Sequence, residues 1–143
     1  MTVSMILAAK GRHVVSVEPS ASLSSAVALL AEKRIGAVAV LGVDSRIVGI
    51  LSERDIVRAL AERGAGALDA PVSQIMTRKV STCTEAETIP SIMERMTEGK
   101  FRHVPVVDQG RLVGIVSIGD VVKHRLQQME SDSAAMRDYI LTA

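Results

Sequence analysis

The sequence predicts an α+β (α/β) protein made of two copies of one β-α-β-β-α unit, packed about a pseudo-twofold axis. Three observations predict it. The stretch Arg46-Ile47-Val48-Gly49-Ile50-Leu51-Ser52-Glu53-Arg54-Asp55 returns as Arg111-Leu112-Val113-Gly114-Ile115-Val116-Ser117-Ile118-Gly119-Asp120, at an offset of 114 − 49 = 65 with six of ten positions identical. An amphipathic stripe also occurs twice: Leu23, Ala26, Val27 and Leu30 are matched by Ile89, Ile92, Met93 and Met96, at an offset of 89 − 23 = 66. Spacing of i, i+3, i+4, i+7 marks one face of a helix. Finally, short β-prone apolar runs flank each stripe, and a repeat of this length fixes the whole architecture.

In chain order, Met5 to Ala9 is a short apolar run with no basic residue before it, so it does not read as a signal peptide. Val14, Val15 and Val17 form a strand that stops at Pro19. Ser20 and Ser22 are candidate N-caps for the first stripe, and Gly36 marks the exit. Ala37 to Leu41 reads as a buried strand and Asp44-Ser45 as a turn. Arg46 to Ser52 is the next strand. Glu53 to about Arg63 is the next helix, expected to bury Ile56, Val57 and Leu60. Gly64-Ala65-Gly66 follows a helix rather than a strand and lacks a third glycine, so it is a connector and not a dinucleotide loop.

The second unit repeats this order. Val72 to Met76 reads as a short entry helix, and Val80 to Cys83 as the counterpart of the first strand. Phe101 to Val107 stands for Ile35 to Leu41, and Asp108-Gln109-Gly110 is the matching turn. The first copy carries one extra loop residue before Arg46. A helix with Val121, Val122 and Leu126 on its inner face follows Asp120. The organisation is 1–66 for repeat one with its N-terminal segment and linker, 67–126 for repeat two, and 127–143 for a tail. In that tail Met136, Tyr139, Ile140 and Leu141 form an apolar face that needs a cover, either the body or a second subunit.

Composition narrows the function classes. At 143 residues with 48% hydrophobic content the chain is one folded domain in size, not a disordered one. A formal net charge of +1 gives no strong pull on nucleic acid or membrane surface. Phe101 and Tyr139 are the only aromatics, so stacking platforms for single strands are lacking. No stretch approaches the ~20 apolar residues of a membrane span, which makes a cytoplasmic protein the expectation. The one cysteine, Cys83, reads as a small buried hydrophobe. His13, His103 and His124 are too scattered for a metal site, and no serine elbow is present. Arg78-Lys79 reads as a solvated pair, and Met76, Met93 and Met96 as core filler.

The Ser/Asp pairs at the end of each repeated stretch have two readings. Ser52 with Asp55, and Ser117 with Asp120, have the spacing of a helix capping box. The same strand-to-helix turn offers free N–H groups to an anion, and one carboxylate suits the adjacent hydroxyls of a ribose. His103 likewise reads either as a phosphate contact or as an exposed or capped side chain.

With Gly-Ile-x-Ser-x-x-Asp closing each half and Val104-Pro105-Val106-Val107-Asp108 before the second, the doubled pattern resembles a pair of CBS domains, or Bateman module, from about Ile6 to Leu126. The resemblance implies two CBS repeats that bind an adenosine-containing ligand in two related clefts. Candidates are AMP, ADP, ATP and NAD(H), with S-adenosylmethionine ranked behind them. The motif Asp would hold the ribose, and the Ser and nearby basic groups the phosphate. One cleft would use Ile50, Ser52, Arg54 and Asp55, with Thr84, Ile89, Phe101, Arg102 and His103 opposite. The other would use Ile115, Ser117 and Asp120, with Val17, Glu18, Leu23, Ile35, Gly36 and Ala37 opposite and Arg102 near the phosphate. Glu18, and Ile118-Gly119 where the first half has Glu53-Arg54, make that cleft the poorer match, and the first repeat has Ala39-Val40 where the second has Pro105-Val106. The resemblance further implies a regulatory module without catalysis, reporting energy or redox state, paired as a homodimer and acting on a separate protein effector. A scaffold without ligand, and a detached regulatory subunit of an enzyme, are the alternatives.

Overall fold

A computed structural model describes residues Met1–Thr142, so Ala143, the last residue of the tail, lies outside the described residues. In the first half, β1 (Ser16–Val17), α2 (Leu23–Lys33), β2 (Ala37–Leu41), β3 (Ile47–Ser52) and α3 (Glu53–Arg63) follow an N-terminal helix, α1 (Val3–Lys10). In the second half come α4 (Ile89–Gly99), β4 (His103–Asp108), β5 (Arg111–Ser117) and α5 (Ile118–Thr142). β2 runs parallel to β1 and antiparallel to β3, while β4 and β5 form an antiparallel pair.

Local chemistry sets the boundaries. The hydroxyls of Ser22 and Thr88 cap α2 and α4 by accepting the N–H groups of Ser25 and Ser91. Both helices end on a left-handed residue, Arg34 or Lys100, at matching places in the repeat. The hairpins turn on paired positive-φ residues, Asp44-Ser45 and Gln109-Gly110, as tight primed turns require.

The expected strand at Val80–Cys83 is reduced to one parallel bridge between Cys83 and Val106. This bridge is the repeat image of the Val17–Val40 pairing in β1–β2, since both residues shift by 66. Cys83 N–H donates to Pro105 O at 3.0 Å, and Val107 N–H to Cys83 O at 2.9 Å. The ladder goes no further upstream, because Pro105, which stands where the first half has Ala39, has no N–H to give Ser81 O the bond that Ala39 N–H gives Val15 O at 3.3 Å. The Arg95 guanidinium donates to the Thr82 carbonyl at 2.7 Å, and the first half has Leu29 at the matching helix position. The entry helix at Val72–Met76 is a 3₁₀ turn over Val72–Gln74.

Two cores hold the fold, and each is completed by the other half's entry segment. The first contains Leu23, Leu30, Val38, Val40 and Leu51 together with Val72 and Met76, which precede the second repeat. The second contains Ile89, Ile92, Met96, Val104, Val106 and Val116 together with Val3, Ile6 and Leu7 of α1. The first residues, grouped by chain order with repeat one, thus pack in repeat two. The run from Met5 to Ala9 is a helix that is buried along one face. Its start is tied by Val3 N–H to Glu87 O and Ser4 N–H to Glu85 O, at 2.9 and 3.0 Å. Arg46 pairs with Arg111, its own repeat equivalent, so this bridge lies where the pseudo-twofold axis must pass.

Two expectations of burial are corrected. On α3, Ile56 and Ala59 are buried, whereas Val57 is 66% and Leu60 37% exposed. Ala59 packs in the first core with Ala67 of the connector. On α5 only Val121 is buried, while Val122 and Leu126 face outward and the helix runs unbroken into the tail.

The crossed packing explains the glycine of the repeated stretch. A Cβ on Gly114 would meet two Leu7 methyl carbons at 2.7 and 2.9 Å. A Cβ on Gly49 would meet Met76 Sδ at 2.5 Å and the Thr77 carbonyl oxygen at 2.9 Å. Gly114→Ala is expected to lower stability in chemical denaturation by about 1–3 kcal/mol through overpacking. Gly49→Ala is expected to cost more, since a backbone oxygen cannot move aside. Gly66→Ala, with nothing within 4 Å, is the control and should cost no such amount.

Candidate functional site

The strand-to-helix turns place the two motif aspartates. At β3–α3 the capping box is complete: Asp55 N–H donates to Ser52 Oγ, and Ser52 N–H donates to Asp55 Oδ2 at 2.9 Å. Ser52 Oγ–H also donates to Asp55 Oδ2 at 3.0 Å. The other oxygen, Oδ1, accepts from Thr77 Oγ1 at 2.9 Å and has Arg58 at 3.7 Å. Asp55 is 5% exposed, and these partners offset the burial of its charge. At β5–α5 the same box forms between Ser117 and Asp120, with bonds of 2.9 and 3.1 Å.

A cavity of about 640 Å³ opens beside the first box. Of the residues expected there, it gathers Ile50, Ser52, Arg54, Asp55, Phe101, Arg102 and His103, and Gly36 joins them from the set expected at the other cleft. Its charges are unequal: Arg54, Arg58, Lys79, Lys100 and Arg102 against Glu53 and Asp55. Phe101, Ile50, Val80 and Ile118 supply apolar wall. Arg54 ties α3 to the end of α4 by donating to Lys100 O at 3.0 Å. Gly99 lacks the Cβ that would collide with the Phe101 ring, which lets the ring lie back over the end of α4.

Thr84 and Ile89 do not line this cavity. Thr84 N–H donates to Glu87 Oε2 at 2.7 Å in the turn before α4, and Ile89 is fully buried in the second core. In the opposite set, Leu23 and Ala37 are core residues, Val17 is half-buried in β1, and Glu18 is exposed. Ile35 lines a separate open groove between α2 and α3 with Val27, Leu30 and Ile56.

Around Asp120 a different side chain takes the open position. Lys10, at the end of α1, donates to Asp120 Oδ2 at 2.7 Å and to Ile115 O at 3.0 Å. In the first half the matching contacts come from Thr77. Its backbone pairs in both directions with Ile50, and its hydroxyl reaches Asp55. Burial opposes the charge of Asp120, but the Lys10 ammonium and the Ser117 N–H outweigh it and hold the carboxyl below its ordinary value. Neither Thr77 nor Lys10 was singled out in the sequence. Both end the segment that enters a repeat, so crossed packing is the signal that finds them.

His103 stands between the two boxes, with its ring against Gly36. Burial, followed by the charge of Lys10, holds its pKa below the ordinary imidazole value. Cys83 is buried and its thiol is pushed up to about 12, by burial first and by Glu87 next, which leaves it unreactive. Among the described residues no helix is long and apolar enough to cross a membrane, and no group of His, Cys, Asp and Glu could hold a metal ion.

This arrangement has relatives. The family model described as CBS domain matches residues 10–62 and again 72–127. The CBS-domain containing protein ATU1752 from Agrobacterium tumefaciens is 48% identical, with a TM-score of 0.83 over 87% of this chain and 92% of that one. The CBS domain protein PAE2072 from Pyrobaculum aerophilum, solved with AMP, is 33% identical, with a TM-score of 0.75 over 84% of this chain and 89% of that one. The CBS domain pair of protein MJ0100, solved with 5-methylthioadenosine and S-adenosyl-L-methionine, is 27% identical, with a TM-score of 0.80 over 90% and 98%. The chain spans 64% and 58% of the length of the first two curated relatives it matches. Two family matches, two crossed cores and two capping boxes at equivalent places make the chain a member of the CBS-domain family, a tandem CBS pair.

Proposed function

We propose that this CBS pair is a regulatory module that binds an adenosine-containing ligand in the cavity beside Asp55. The observation that carries the reading is the cavity itself: five basic side chains and an apolar wall converge on a carboxylate held at a helix start. A ribose diol fits the Oδ1 side of Asp55, replacing Thr77 and the distant Arg58, while the capping bonds to Oδ2 stay in place. Adenine lies against Ile50, Val80 and Phe101. One or more phosphates lie among Arg54, Lys100 and Arg102, where charge-assisted hydrogen bonds are strong. The relatives solved with AMP and with S-adenosylmethionine support the ligand class. The basic wall favours AMP, ADP, ATP or NAD(H) over S-adenosylmethionine, whose sulfonium is itself a cation.

In this reading nothing is catalysed. The ligand acts through its different affinity for two arrangements of the halves, and a separate protein in the cytoplasm reads the difference. The cleft at Asp120 is the lesser site, because Lys10 already holds its carboxylate and the Ile115 carbonyl.

A thermal-shift panel of AMP, ADP, ATP, NAD, NADH and S-adenosylmethionine tests the reading. A ligand at a hundred times its dissociation constant adds ~2.7 kcal/mol, a rise of about 5–10 °C for a domain of this size. Asp55→Ala should abolish the rise and Asp120→Ala should keep it. No rise with any ligand, on protein freed of bound nucleotide, would leave the capping boxes as helix caps of a scaffold.

The pH dependence of the ligand-free chain follows from His103. Its folded pKa is depressed, so the unfolded chain takes up the proton first as pH falls. The stability held above the ordinary histidine value of ~6.5 is therefore lost progressively as pH drops through that value towards the folded one. His103→Gln should flatten this slope of midpoint against pH in denaturant titrations.

A further inference from the structure

One titratable side chain in the wall of the cavity has no counterpart in the other half. His103 opens β4, and its repeat image at the start of β2 is Ala37, at an offset of 103 − 37 = 66. The two pair alike, Ala37 with Ser52 and His103 with Ser117. Only the second half thus brings an imidazole to this place. The half-buried ring reaches across to the first half. A Cβ on Gly36 would stand 3.5 Å from its Cε1 and 3.7 Å from the carboxyl carbon of Glu53. Gly36, Glu53 and His103 all line the cavity.

What faces the ring decides its charge. Glu53 comes from α3, Lys10 from the end of α1, Asp120 from the first turn of α5, and Arg102 from the residue before β4. The opposite strand β5 brings Ser117 and the turn before β2 brings Gly36, neither of them charged. Arg54, Arg58, Lys79 and Lys100 complete the cations of the cavity wall. Beside the ring, two cations and two carboxylates nearly cancel, and Lys10 holds Asp120 directly at 2.7 Å. With little net field to favour the charged form, burial rules and the ring stays neutral. A phosphate breaks this balance. It adds negative charge next to Arg102, the neighbour of His103 in the chain, and an opposite charge close to a partly buried imidazole favours its protonated form. The proton also turns a ring acceptor into a further N–H donor for the phosphate oxygens.

Resting on the reading of the cavity as a nucleotide site, we infer that binding there is proton-linked: a phosphate-bearing ligand enters together with one proton, which settles on His103, so that the chain holds it more tightly as pH falls through the neutral range. The proton comes from the solvent and returns to it when the ligand leaves. A ligand without phosphate gains nothing from it. The occupancy that the module reports then depends on acidity as well as on nucleotide, because binding of the proton and of the ligand are reciprocal.

Titration calorimetry of the full chain with AMP and with NAD, on either side of the ordinary histidine value at about pH 6 and about pH 8, reads the linkage. From the higher pH to the lower, wild type should gain about three- to tenfold in affinity over His103→Gln, since one unit of pKa is worth tenfold. Taking the difference removes the titration of the AMP phosphate itself, which is common to both chains. In two buffers of different ionisation heat, binding to wild type should take up more protons than binding to His103→Gln. Asp120→Ala removes a carboxylate that faces the ring but does not line the cavity, so it should move the gain to lower pH. Equal pH dependence of wild type and His103→Gln, with either ligand bound, overturns this inference and leaves the nucleotide reading standing. An Asp120→Ala profile that stays in place or moves to higher pH overturns it as well. Failure of both ligands to bind at every pH overturns the reading of the cavity, and this inference falls with it.

Discussion

Neither half of this chain can close its own core. Leu7 lies on the bare backbone of Gly114, and Met76 on that of Gly49, and in each case the residue comes from the segment that enters the other half. A unit of about 60 residues is marginal alone because its surface is large for its volume. Exchange of entry segments removes that weakness by burying Val3, Ile6 and Leu7 in one core and Val72 and Met76 in the other. The stability of each core is thereby tied to the segment that enters the other half. The clefts follow from the same exchange. The last residue of each entry segment arrives at the strand-to-helix turn of the opposite half, within reach of its aspartate.

What arrives differs, and the difference makes the two clefts unequal in a molecule that is otherwise close to symmetric. Thr77 brings a neutral hydroxyl to Asp55, and Lys10 brings a cation to Asp120. The Lys10–Asp120 pair has side chains 33% and 22% exposed, so its contribution to stability is that of a partly solvated ion pair, about 1 kcal/mol or less. It is therefore a bias between clefts rather than a lock. The larger asymmetry is in the field. The basic residues from Arg54 to Arg102 surround the Asp55 side, while His103, neutral near pH 7, separates it from the Asp120 side.

The repeat, the capping boxes and the hairpin turns were legible in the sequence because each is a local signal carried by residue type and spacing. Ser52 and Asp55 are three apart, and Asp44-Ser45 sits between two apolar runs. What was not legible depends on contacts distant in the chain. Nothing near Met5 to Ala9 says that the run packs on β5. The strand expected at Val80–Cys83 has the right residues, yet Pro105, on the strand it would pair with, has no N–H to extend the ladder. Val57 and Leu60 fit the helical period as well as Ile56 does. Ile56 and Ala59 face the first core, where Ala67 of the connector also packs, and Val57 and Leu60 do not. For the site, the motif half of the cleft was legible as Ile50, Ser52, Arg54 and Asp55. The opposite wall was only partly so. Thr84 and Ile89 lie on the far side of the α4 entry, and Arg58, Thr77 and Lys79 line the cavity in their place.

The site and the tail are physically continuous. Ile118 lines the cavity and is the first residue of α5, and its N–H donates to the carbonyl of Arg102, another cavity residue, at 2.8 Å. The repeat image of that bond, Glu53 N–H to Gly36 O at 3.0 Å, ties the opposite wall to α3. In the proposed reading, a ligand that drew Arg102 towards a phosphate would pull on the hydrogen bond that anchors the start of a 25-residue helix. At 1.5 Å per residue such a helix is about 37 Å long, and it is stiff enough to carry a small rotation at its base to its far end. For that rotation to signal anything, it must change the free energy of what the far end binds, because coupling between two sites is reciprocal.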